Sequence, residues 1–228
     1  MIEKENSKTL ISLSDDNILH NILPFLENGK DLYIVSKKFL NFRKLNKNVH
    51  FYLNKKNGAL KYYEDSDFRI YISSLMFDTS KQLHIDLSYC DNVTETSMLG
   101  NVFSLNLTYC TRVIDVSDLG NIYKLNLSYC RRIKDAYALS NVYDLNLTYC
   151  NGIHDVSMLG KVKILNLSFC IGIHDVSALG NVHTLYLLCC WNISDISMLV
   201  NVHNLYLSSN RLGTYDINIL IHVKIYFI

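Results

Sequence analysis

The chain has 228 residues, 49% hydrophobic and 19% charged, with 22 Lys+Arg against 21 Asp+Glu and a formal net charge of +1. That balance is globular and excludes both a disordered polyelectrolyte and a uniformly basic nucleic-acid coat. No stretch reaches roughly 18 uninterrupted apolar residues, and the N-terminal MIEKENSKTL has no apolar run of the secretory kind, so composition predicts a soluble chain with no membrane partner.

In chain order, the first element is amphipathic. Residues 13–26, LSDDNILHNILPFL, open on a Ser/Asp cap at Ser14–Asp16, and Ile18, Leu19, Ile22, Leu23 and Leu26 recur at helical spacing. Pro24 should distort or end that helix. A polar ENGK break then precedes DLYIVSKKFLNF, a second short amphipathic segment. Leu13, Asp16, Ile18, Leu19, Ile22, Phe25, Leu26, Asp31, Leu32, Val35, Ser36, Lys37, Lys38 and Phe39 match the pattern LPxEIxxxIxxFLxxxDLxxxSLVxKRF, with Ser14 in place of its Pro. Residues 10–45 therefore resemble an F-box. The resemblance implies docking on a Skp-type adaptor of a cullin ubiquitin ligase. Ile18, Leu19, Ile22 and Leu23 of the first helix, with Val35 and Phe39 of the second, would bury against that adaptor. The alternative is a helical cap that covers the apolar end of the domain that follows.

Residues 46–80 read as a helical linker and N-terminal cap, with a second capped helix over SDFRIYISSL at 66–75. Nine Lys and Arg crowd residues 30–61 against Asp31 alone. No RNA-binding aromatic signature or zinc-finger spacing accompanies them, so they read as solvated lysines on helices, with no nucleic-acid partner.

From Leu83 the sequence repeats every 20 residues: HIDLSYC, SLNLTYC, KLNLSYC, DLNLTYC, ILNLSFC, TLYLLCC and NLYLSSN. A full repeat reads VxxLxLxxCxxIxDVSxLGN, and Ile225 and Phe227 fall in phase as a further strand. The LxL alternation makes a short strand with two inward side chains, and a coil this short buries its aliphatic residues only by stacking on neighbours. The repeat resembles the leucine-rich repeat. LNLSYCxxIxD is similar to the cysteine-containing type common in eukaryotic F-box proteins, and DVSxLGN to the outer turn of short internalin-like repeats. The implied fold is α/β: residues 81–228 form a leucine-rich-repeat solenoid with a parallel sheet of about eight strands, preceded by the small helical region. Twenty residues leave room for 3₁₀ or turn structure opposite the sheet, but not for an α-helix.

Four columns of the repeat invite chemistry. Cys90, Cys110, Cys130, Cys150, Cys170 and Cys190 recur once per coil, with Cys189 beside the last. Lacking zinc-ligand spacing, they read as small buried side chains whose S–H serves the backbone. Glu95, Asp115, Asp135, Asp155, Asp175 and Asp195 read as turn caps rather than calcium ligands. His154 and His174 beside them read as surface residues. The outward sheet positions Asn106, Asn126, Asn146, Asn166, Tyr186 and Tyr206, with Leu188 and Trp191, form the candidate partner-binding face, the aromatic end first. The asparagines also read as amides hydrogen-bonding along the stack. Tyr89, Tyr109, Tyr129, Tyr149 and Phe169 flank that face.

Sequons at Asn106 to Asn166, spaced about 5 Å apart on one face, leave no room for glycans. With the free thiols, this places the chain in a reducing cytosol or nucleus. No nucleophile, phosphate loop or paired-carboxylate motif stands outside the repeat, so neither enzyme activity nor a cofactor or metal site is expected. The leading expectation is the substrate receptor of a ubiquitin ligase, and the alternative is a leucine-rich-repeat scaffold. The exposed edge of the last strand predicts self-association there.

Overall fold

A computed structural model describes residues 50–54, 58–75, 82–211 and 215–228. The F-box-like segment at 10–45, with Ile18, Leu19, Ile22, Leu23, Val35 and Phe39, lies outside the described residues. The described residues divide into two compact units, one ending at Asp86 and the other beginning at Leu87.

In the first unit, strand β1 (His50–Leu53) pairs in parallel with β2 (Gln82–Asp86), placing Leu53 beside Ile85. Between them in sequence come helices α1 (Ala59–Glu64) and α2 (Ser66–Leu75). The 66–75 helix is present. Asp65 starts it: its Oδ1 accepts the N–H groups of Asp67 and Phe68 at 2.9 and 3.0 Å, satisfying two donors that have no partner within the helix. Arg69 reaches back to donate to the carbonyls of Tyr62 and Tyr63 at the end of α1. Leu53, Ala59, Tyr62, Phe68, Ile72, Leu83 and Ile85 are buried. β1 is a strand that the sequence, read there as a helical linker and N-terminal cap over residues 46–80, did not indicate. Phe51-Tyr52-Leu53 has the LxL alternation, but it precedes its partner by 32 residues, so it stands outside the 20-residue period.

The second unit is a leucine-rich-repeat solenoid. Strands β3 (Ser104–Asn106), β4 (Lys124–Asn126), β5 (Asp144–Asn146), β6 (Ile164–Asn166), β7 (Thr184–Leu187), β8 (Asn204–Leu207) and β9 (Lys224–Phe227) pair in parallel and in sequence order. Each partner lies 20 residues on, as in Leu105↔Leu125 and Leu185↔Leu205. β9 is the in-phase strand expected from Ile225 and Phe227, which face Leu205 and Leu207.

One coil shows how the backbone closes. After β3 the Cys110 N–H donates to Leu107 O, and the Val113 N–H donates to Cys110 O. The chain then crosses to a 3₁₀ turn at Ser117–Leu119 and returns to β4. Along it Leu105, Leu107, Cys110, Val113, Val116, Leu119 and Ile122 are all buried, so the core lies between the sheet and the 3₁₀ turns. Corresponding 3₁₀ turns begin at Ser97, Tyr137, Ser157, Ser177 and Ser197. In the first coil Thr96 takes the place of Val116; buried, it donates its hydroxyl to Asp115 O at 3.0 Å.

Candidate binding face

The cysteines lie on the inner side and fasten one coil to the next. Cys110 Sγ donates to Leu87 O, Cys130 to Leu107 O, Cys150 to Leu127 O, Cys170 to Leu147 O and Cys190 to Leu167 O, all at 3.0–3.1 Å. The same carbonyls accept the backbone N–H of their own coil's cysteine, as in Cys130 N to Leu127 O at 3.0 Å. Both lone pairs of each oxygen are thus used, one within a coil and one between coils. Burial, then the neighbouring thiols or thiol, pushes Cys130 and Cys170 up to about 12. The thiols stay protonated, as donors must. Six of the seven are buried and Cys189 is half-buried. In native protein at mildly alkaline pH, a thiol reagent should therefore modify Cys189 rapidly and spare the six. All seven should react after denaturation. A second fast thiol in the folded protein would contradict this packing.

The acidic column lies on the 3₁₀ side. Asp115, Asp135, Asp155, Asp175 and Asp195 each accept the N–H two residues on, at 2.7–2.9 Å. The turn-cap reading is correct here. The Ser N–H groups hold the carboxyls of Asp115, Asp155, Asp175 and Asp195 below their ordinary range. Among the described residues no group of three or more His, Cys, Asp or Glu could hold a metal ion. His154 and His174 are exposed, and each ring donates from Nδ1 to the same carbonyl, Gly172 O, at 3.0 Å. A side chain on Gly172 would meet His154 Nδ1 at 2.8 Å, so the shared contact needs glycine there.

The asparagines differ from the amide ladder that their spacing predicts. Asn106, Asn126, Asn146 and Asn166 are half-buried, and each Oδ1 accepts the N–H two residues on, at 2.9–3.1 Å. In two coils it also accepts the hydroxyl of Thr108 or Thr148 at 2.6 Å. Asparagine is the residue for this job because a short side-chain carbonyl mimics a backbone turn. These bonds lead into an unusual backbone. Tyr89, Tyr109, Tyr129, Tyr149, Phe169 and Cys189 all have φ between 54° and 66°. The left-handed region costs an ordinary residue about 1–2 kcal/mol and normally falls to glycine or asparagine. Two contacts offset it. The Tyr109 N–H donates to Ser128 O, and the rings of Tyr89, Tyr109, Tyr129, Tyr149 and Phe169 stack with centroids 4.1–4.9 Å apart.

The aromatic end of the face has the clearest external geometry. Tyr186, Tyr206 and Tyr226 occupy one register position on β7, β8 and β9 and stack at 4.2 and 4.6 Å. Tyr226, 41% exposed, extends the pair expected from sequence. Leu188 is half-buried beside them, one residue past β7. Trp191, 44% exposed, lies on the turn after Cys190, and no ring contact among the described residues joins it to the tyrosines.

A further column, not singled out in the sequence, runs where the strands begin. Phe103, Tyr123 and Tyr143 stack at 4.7 and 4.6 Å, Lys163 follows, and His183 stacks on His203 at 4.8 Å. Its signal was the same 20-residue period, hidden by the change from aromatic to basic residues halfway. Burial, then Lys163 and His203, lowers the His183 pKa, and its Nδ1 lies 3.1 Å from Thr184 Oγ1. Lys124 and Asp144 form an ion pair across β4 and β5 at 2.7 Å.

No protein-family model matches the chain, and no curated protein matches it. Among solved structures it is similar to an internalin, InlF, from Listeria monocytogenes, at 15% identity and a TM-score of 0.38, covering 65% of this chain and 58% of that one. It is also similar to the functional domain of InlJ from Listeria monocytogenes, described as including a cysteine ladder, at 15% identity and a TM-score of 0.30, covering 63% and 41%. The chain spans less than two thirds of the length of either.

Proposed function

We propose that this protein is a non-enzymatic binding scaffold whose leucine-rich-repeat sheet presents its outward side chains to a protein partner. The observation that carries the reading is the row of stacked tyrosines on β7–β9. Large rings held rigid by stacking lose little freedom on contact, which suits an interface anchor. A photo-crosslinking residue at Tyr206 is expected to yield protein adducts in cells, while the same residue at exposed Met158, on the 3₁₀ side, yields none. Adducts from Met158 alone would refute the face assignment.

The substrate-receptor reading adds one element: residues 13–39 would recruit a Skp-type adaptor. It rests on the F-box resemblance of that segment. Its test is a pull-down of the full chain with the adaptor, in which Ile18→Asp with Ile22→Asp should abolish capture. Retention of the wild-type chain no better than of the variant would leave the scaffold alone standing. Self-association through the last strand is the remaining expectation. Ile225 and Phe227 on β9 are only half-buried, and Ile221 and Ile228 are 78% and 65% exposed.

A further inference from the structure

Charge is unevenly divided around the last coils. Residues 161–228 contain three acidic side chains, Asp175, Asp195 and Asp216, and each is bonded to an N–H of its own 3₁₀ turn. The strand side over the same coils carries none. It carries Lys163, His183 and His203 at the strand entries and Lys224 on β9. Lys163, His203 and Lys224 are exposed, and among the described residues neither lysine has a carboxylate within ion-pair distance. Asp144, the nearest acid on that face in sequence, is taken up by Lys124.

The tyrosines beside these basic side chains are oriented in a particular way. Strand side chains stand roughly perpendicular to the sheet. Rings that stack on each other along the row cover one another's faces and turn their edges and hydroxyls outward. The edge of an aromatic ring is the positive end of its quadrupole, and the phenol O–H is a donor. Edge, hydroxyl, ammonium and imidazole all favour an anion. Nucleobases need an open ring face to stack on, and here the faces are occupied. The row also runs straight across the strands at about 4.8 Å per step, matching a partner laid out in line rather than a compact one.

From these observations, and resting on the scaffold reading above, we infer that the strand face of β6–β9, with Lys163, His183, His203 and Lys224 beside Tyr186 and Tyr206, binds an extended acidic segment of a partner protein. The carboxylates of that segment accept from the lysines and the phenols, and its backbone lies across the tyrosine edges.

The test uses the full chain and a fluorescent oligoglutamate peptide, followed by anisotropy at low ionic strength, where exposed charges are least screened. Oligolysine and single-stranded oligothymidylate are the comparison probes. Oligoglutamate should bind and oligolysine should not. Lys163→Glu with Lys224→Glu should weaken oligoglutamate at least ~10-fold, the loss of two charge contacts at about 0.7 kcal/mol each, and should create binding of oligolysine. That gain shows the variant to be folded. Lys161→Glu, at the end of a 3₁₀ turn, should change neither. The inference is overturned if oligoglutamate fails to bind, if the double variant keeps it, or if oligothymidylate binds more tightly. Adducts at Tyr206 together with failure of oligoglutamate would remove the acidic partner and leave the scaffold reading intact.

Discussion

Leu145→Ala should lower the unfolding free energy by about 2–5 kcal/mol, the range for a fully buried leucine whose site cannot collapse. Leu145 is 0% exposed and lies in register between Leu125 on β4 and Leu165 on β6. Both neighbours are held by their own ladder bonds, so neither can move in to fill the void. The contrast is Ile225→Ala on β9, whose side chain is only half-buried and has one neighbouring strand. Its cost should be well under half as large. In a linear array each coil touches only its neighbours, so the central deletion weakens two interfaces and should also broaden the transition. Urea unfolding followed by circular dichroism measures both quantities. Equal losses for the two variants would mean that the coils do not share one continuous core.

The second large effect concerns Tyr129, where two terms of similar size oppose each other. Its φ of 66° costs about 1–2 kcal/mol, and its ring stacks at 4.1 Å on Tyr109 and 4.5 Å on Tyr149. Each aromatic pair contributes about 0.5–1.5 kcal/mol beyond area burial. Tyr129→Ala removes both pairs and keeps the strain, so it should cost about 1–3 kcal/mol. Tyr129→Gly removes the same pairs but relieves the strain, and should be about 1 kcal/mol more stable than the alanine variant despite its looser unfolded chain. Tyr129→Val should be the worst, because a branched Cβ fits the left-handed region least. Thermal midpoints of the three variants settle the order. Alanine as stable as glycine would show that the turn is not held left-handed in solution.

The parts of this fold that were legible in the sequence are those the period multiplies. One LxL pair is ambiguous between strand and buried helix, but Leu105/Leu107 repeated through Leu205/Leu207 is not. The cysteine and aspartate columns were readable for a related reason: each has one geometry that a repeated coil can satisfy, and local backbone bonding is the one that needs no external ligand. β1 escaped because the residues of α1 and α2 set it out of phase. The spacing of the asparagines matches the strand pitch and so suggests a ladder beside the binding-face reading, but spacing along the stack carries no information about a bond made two residues along the chain. The left-handed tyrosines were invisible for a deeper reason. That conformation is ordinarily announced by glycine, and here the stack of rings and the inter-coil N–H bonds hold it instead.

The identical register of every strand pair from β3 to β8 makes the length of this chain quantised. Excising residues 127–146 joins Asn126 to Leu147 and regenerates the motif LNLTYC, with leucine again opposite leucine and a thiol again opposite a carbonyl. Excising one residue fewer would displace every later side chain by one position and turn leucines toward water. The shorter in-phase chain should resist proteolysis as the parent does, and the out-of-phase chain should not. Insertions and losses of whole rungs are therefore close to neutral for folding, while the site they carry is lengthened or cut.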